Sequence, residues 1–138
     1  MADRVRKVSY CYISVPNRMG QGARIFGALH DAGISLVATV GFPTRRGKVQ
    51  LDFVAPSLAP IRRIAKRHGW RVSPNKRGFL IQGGDKPGAA HRHMKRLADA
   101  RVSVTAAAGV AAGVGRYGMM LWVKPRDYAR AARALGAK

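Results

Sequence analysis

This chain is short of acids and of cysteine. Six Asp and Glu stand against 26 Lys and Arg in 138 residues, a formal net charge of +20. So few carboxylates leave little for acid–base catalysis, and there is neither a Ser-His-Asp grouping in a recognisable context nor a phosphate-binding P-loop, so no enzyme is expected. The single cysteine, Cys11, excludes an internal disulfide framework and most thiolate metal sites. It reads as a small core residue in a protein of a reducing, cytoplasmic compartment. No apolar run approaches the roughly 18 residues of a membrane span, and MADRVRKVSY lacks the apolar stretch of a signal peptide, so no membrane partner is expected.

What is present is positive charge and enough apolar sequence, 47%, for a core. The cations are dispersed, from Arg4 to Lys7, Arg45 to Lys48, Arg62 to Arg67, Arg71 to Arg77, Arg92 to Arg96 and Arg126 to Lys138. Such a field attracts anions, nucleic acid among them, but no single tail or stripe collects it.

The chain also repeats itself. A shift of 68 residues aligns Ile13 with Ile81, Gly20 with Gly88, Arg24 with Arg92, Leu29 with Leu97 and Asp31 with Asp99. It also aligns Ala32 with Ala100, Ser35 with Ser103, Ala38 with Ala106, Gly41 with Gly109 and Gly47 with Gly115, ten identities in 35 gap-free positions. Two copies of one unit are the reading, with domains at 1–76 and 77–138.

Periodicity gives each copy its elements. VSYCYISV is a strand, NRMGQG a turn, and a helix follows with Ala23, Phe26, Leu29 and His30 on one face. Gly33 stops that helix, ISLVATVGF is a second strand, and PTRRG is a hairpin loop before KVQLDFV. From Ser57 a second helix turns Leu58, Ile61, Ile64 and Ala65 inward, and WRVS closes the unit. The second copy offers FLIQGG, a helix from Ala89 to Ala100, VSVTAAAGV, RYGMMLWV and a helix from Pro125 to Leu135, with no fourth strand. Either that edge stays open or another segment completes it. Two βαββαβ units make an α+β, ferredoxin-like tandem of antiparallel sheets with helices on one face.

These residues resemble the ACT domain family, small regulatory modules that bind amino acids. The resemblance is carried by D-K-P-G, Asp85 to Gly88, and N-R-M-G, Asn17 to Gly20, each followed by L-x-D-A-[GR]-[IV]-S at Leu29 to Ser35 and Leu97 to Ser103. It covers nearly the whole chain as a tandem pair. The chain departs from the family's pattern at Met19, where proline is usual, at Arg101, where glycine is usual, and in the missing last strand. The resemblance implies a non-catalytic, allosteric regulator without a cofactor, acting as an oligomer such as a dimer or through a regulated enzyme. It places the ligand between the first turn of one unit and the second strand of another. Transferred residue by residue, the candidates are Asp85, Lys86, Pro87, Gly88 and Ala89 opposite Ile34 and Ser35, and Asn17, Arg18, Met19, Gly20 and Gln21 opposite Val102 and Ser103.

The chemistry of the turn suits that role. A glycine at position 88 lets backbone approach a ligand, the helix start offers free N–H groups to a carboxylate, and Asp85 can meet an ammonium. The same residues also suit an ordinary turn with Asp85 as helix cap. His91 and His93, two apart on a helix, diverge and read as solvated residues rather than metal ligands. The alternative function is RNA binding on an open sheet face, with Tyr10, Tyr12, Tyr117 and Trp122 as stacking rings. Arg116-Tyr117-Gly118 lacks the glycine that the RNA-recognition signature places between the basic residue and the aromatic, and Lys76-Arg77-Gly78-Phe79 sits on the wrong strand.

Overall fold

The computed structural model describes residues 2–138. It contains two compact units, one of Ser9–Lys76 and one of Arg77–Lys138 together with residues 2–8. Residues 2–8 belong to the second unit.

In the continuous unit, strand β1 (Arg4–Pro16, of which residues 9–16 lie here) is followed by α1 (Gln21–Asp31), β2 (Ala38–Pro43), β3 (Lys48–Val54), α2 (Ala59–His68) and β4 (Arg71–Val72). Its antiparallel pairings, β4 with β1, β1 with β3 and β3 with β2, give the order β4-β1-β3-β2. Alternation along the strands sends Cys11, Ile13, Val15, Leu51 and Phe53 to the helix side. There they meet Ile25 and Leu29 of α1 and Leu58, Ile61, Ile64 and Ala65, all buried. Each fully buried Ile or Leu contributes about 1.5–3 kcal/mol. The inward face of α2 is the expected one, but that of α1 is not. Ile25 and Leu29 are buried while Ala23, Phe26 and His30 are exposed, although the Phe26 ring still meets Phe53 edge-on at 5.6 Å.

The second unit holds β5 (Lys76–Gly84), α3 (His91–Asp99), β6 (Val104–Gly113), β7 (Arg116–Val123), a 3-10 turn at Pro125–Asp127 and α4 (Tyr128–Leu135). β5 pairs with β7 and β7 with β6, both antiparallel. On its other side β5 neighbours β1, whose Arg6 donates to the Gln82 side chain at 3.2 Å. The strand that the sequence seemed to lack is thus the first part of β1. Val5 enters the core with Phe79, Ile81, Leu97, Leu121, Tyr128 and Leu135, and the backbone of Lys138 bonds to Lys7 and Val5. The order is again that of the ferredoxin-like unit, now built from a discontinuous chain. α4 is pinned by the Tyr128 hydroxyl, which donates to Gly78 O at 2.9 Å beneath the Arg77 guanidinium. α4 ends on Gly136, whose φ of 67° lets Ala137 N–H bond back to Ala132 O.

Candidate functional site

The repeat recurs atom for atom at the two first turns. Asn17 N–H donates to Gly47 O at 2.7 Å, and Asp85 N–H to Gly115 O at 2.8 Å. At the far helix ends Ile34 N–H reaches Leu29 O at 3.0 Å and Val102 N–H reaches Leu97 O at 2.9 Å. Gly20 and Gly88 both have positive φ, 89° and 76°, and an added Cβ at either would meet nothing within 4 Å. Both turns are therefore open to solvent with a backbone that only glycine adopts freely.

The candidates fall into four places. Asn17, Arg18, Met19 and Gly20 are exposed and Gln21 opens α1; Asp85, Lys86, Pro87 and Gly88 are exposed and Ala89 is buried; Ser35 and Ser103 are exposed; Ile34 is half-buried and Val102 buried. Within a unit the turn and the strand start lie at opposite ends of a helix, which for the 11 residues of α1 is about 16 Å. One unit alone does not bring them together.

Two expectations about the second turn change. α3 begins at His91, not Ala89, because a left-handed Gly88 cannot join a helix, and Ala89 N–H is already spent on Lys86 O at 3.0 Å. Asp85 is not a cap either: α3 has Ala90 at its N-cap and no side-chain cap bond. The Asp85 carboxylate is left facing solvent at the lip.

Beside the first turn lies an open hollow of about 440 Å³ lined by Ser14, Val15, Pro16, Lys48, Gly69, Trp70 and Arg71. Its Trp70 ring stacks on His68 at 4.4 Å, with the Arg24 guanidinium 5.9 Å from the ring centre. No acidic side chain lines it.

A polar cluster that the sequence reading missed sits beside the second turn. Asp3 Oδ2 accepts from Tyr117 OH at 2.6 Å and His93 Nε2 at 2.6 Å and pairs with the Arg92 guanidinium at 2.7 Å. Tyr117 OH also lies 3.5 Å from Ala89 O. His93 is therefore not a solvated helix residue: it is 1% exposed, while His91 faces solvent. Burial pushes the Asp3 carboxyl up, but the bonds from Tyr117, His93 and Arg92 outweigh it and hold it at about 2. Burial, then the bond to Asp3, raises the Tyr117 phenol to about 12. The scarcity of acids was the available signal, since an aspartate beside so many cations is rarely unpaired. Of the rings named for an RNA platform, Tyr10, Tyr117 and Trp122 are buried, with Tyr117 turned into the helix-side core, and Tyr12 is half-buried.

No protein-family model matches the chain, and no curated protein matches its sequence. Solved structures do. A protein from Bacteroides thetaiotaomicron matches with a TM-score of 0.82 at 14% identity, over 96% of this chain and 88% of that one. The regulatory subunit of aspartate kinase from Thermus flavus matches at 0.61 and 15% identity, over 98% and 94% of the two chains. Its ligand-free counterpart from Thermus thermophilus matches at 0.62 and 16%, over 98% and 93%. The α+β, ferredoxin-like fold is shared with these regulatory subunits. The two Thermus neighbours are regulatory subunits of an enzyme rather than its catalytic parts. Among the described residues no helix is long and apolar enough to cross a membrane.

Proposed function

We propose that this paired ACT protein is a non-catalytic regulator that binds an amino acid, or a related small molecule bearing a carboxylate, at Asp85–Ala89 and Asn17–Gln21. The observation that carries this reading is the exposure of the turns: two repeat-related loops each present a left-handed glycine to solvent, and at the second the Asp85 side chain stands at the lip without a cap bond. Ile34, Ser35, Val102 and Ser103 complete the ligand contacts. Because turn and strand start stand a helix length apart, each site draws on a second unit, and a dimer acting on a regulated enzyme is part of the reading. Calorimetric titration of the amino acids against wild type, Asp85→Ala and Gly88→Asn, whose side chain fills space while tolerating the left-handed backbone, tests it. Binding lost in both variants with folding retained is the expected result; unchanged affinity in both sinks the assignment of the turn. Sedimentation showing a strict monomer counts against the dimer.

One observation favours nucleic acid as a second reading. Trp70 is flanked by Arg24, Lys48, Arg71 and His68 without an acid, a combination of stacking surface and cations that suits a single strand. RNA affinity that persists near physiological salt and falls on Trp70→Ala favours it; weak binding that salt abolishes favours the regulator.

A further inference from the structure

The geometry points to a carboxylate-binding pocket, formed by Arg92, His93 and Tyr117 and filled in the structure by Asp3 as a tethered ligand that a free carboxylate can displace. This site needs neither Asp85 nor Gly88 and stands apart from the turn reading above.

Three groups of different chemistry converge on one oxygen: a guanidinium ion-paired at 2.7 Å, and an imidazole N–H and a phenol hydrogen-bonded at 2.6 Å each to Asp3 Oδ2. They come from α3 and β7, whereas the acceptor comes from the segment that leads into β1. The acceptor side is less well made. Asp3 Oδ1 is buried without a hydrogen-bond partner. An acceptor selected only for stability would satisfy its second oxygen as well, since an unpaired buried polar atom is costly. Gly83 supports the same view. A Cβ there would lie 1.9 Å from Asp3 Oδ1, so the floor of the pocket is open to the width of a carboxylate. Asp3 lies just outside β1, which starts at Arg4, so its side chain can leave without breaking the pairing of Val5 and Lys7 with Lys138.

A tethered group competes at an effective concentration in the millimolar range, so removing it strengthens apparent binding of a free competitor. Acetate replaces the side chain deleted in Asp3→Gly. Thermal unfolding is followed against sodium acetate, with sodium chloride at matched ionic strength, for wild type, Asp3→Asn, Asp3→Gly and Asp3→Gly with Arg92→Met. The proposal expects saturable, acetate-specific stabilisation of Asp3→Gly by mass action, with half-response at an acetate concentration at least about tenfold below that of wild type. Asp3→Asn, which keeps the shape without the charge, falls between, and Arg92→Met removes the response. Should Asp3→Gly be unfolded without acetate, recovery of its circular dichroism on adding acetate reads the same pocket. Equal responses to acetate and chloride, no order among the three acceptors, or a response untouched by Arg92→Met overturns the proposal.

Discussion

Gly83→Ala is a one-methyl change whose effect is expected to run through Asp3. The new Cβ would lie 1.9 Å from Asp3 Oδ1, 2.7 Å from Cγ and 3.2 Å from Cα. Turning the Asp3 side chain relieves the first two contacts but not the third, which is backbone. The carboxylate must therefore leave Tyr117, His93 and Arg92. The magnitude follows from linkage: the carboxyl lies at about 2 against 3.8 for a free group, and each unit is worth about 1.4 kcal/mol, so the ionised anchor contributes about 2 kcal/mol at neutral pH. Leaving His93 buried without its acceptor adds on the order of 1 kcal/mol, for about 3 kcal/mol in all.

The sign of the pH dependence distinguishes this mechanism from simple crowding. A depressed carboxyl stabilises the fold above its unfolded value near 4, and that stability is lost as pH falls through about 2. Burial raises the Asp52 carboxyl, partly offset by Gln50 and Lys76, so Asp52 acts in the opposite sense, but it is common to every variant and cancels in differences. Urea unfolding in a Trp70→Phe background, where Trp122 alone reports, should show Gly83→Ala about 3 kcal/mol less stable than its parent at pH 7 and about 1 kcal/mol less at pH 2. Asp3→Asn should lose the same pH-dependent part. A gap of equal size at both pH values would refute the reasoning, because a clash that bypasses Asp3 does not titrate.

Other outcomes follow from the same contacts. Arg101 occupies the place of Gly33 in the repeat and keeps its left-handed backbone, φ 58° against 70°, so Arg101→Gly should raise stability by about 0.5–1 kcal/mol in denaturant unfolding. Tyr128→Phe strands Gly78 O in the core and should cost about 1–3 kcal/mol by the same measurement. Asp85→Ala, with no cap bond to lose, should change stability by less than about 0.5 kcal/mol whatever it does to ligand affinity.

What the sequence showed and what it hid divide along physical lines. The repeat exposed both units because the residues it matches fix backbone: Gly20 and Gly88 are left-handed, and the partners of Asn17 and Asp85 are the repeat-related Gly47 and Gly115. The inward face of α2 was legible because Arg62, Arg63, Lys66 and Arg67 mark its outer side. α1 carries no such marker: with Gly22, Ala23, Gly27 and Ala28 it is small on several faces, so Ile25 and Phe26 were indistinguishable until the strands chose between them. The start of α3 was misplaced by counting Ala89 as helix former without allowing for Gly88. Asp3 was invisible for a different reason, since its partners are 89 to 114 residues away and no local pattern encodes a pairing over that distance.

Arg101 shows why the second unit tolerates a departure that would otherwise argue against the family pattern. The left-handed cap needs its free carbonyls satisfied as well as its φ. Arg130 of α4 supplies the bonds, donating to Ala100 O and Arg101 O at 3.1 Å each while paired with Asp127 at 3.0 Å. The end of α3 is thus closed from outside by a side chain instead of by a glycine within. Its strain is local, and Val102 still enters the core in the register of Ile34.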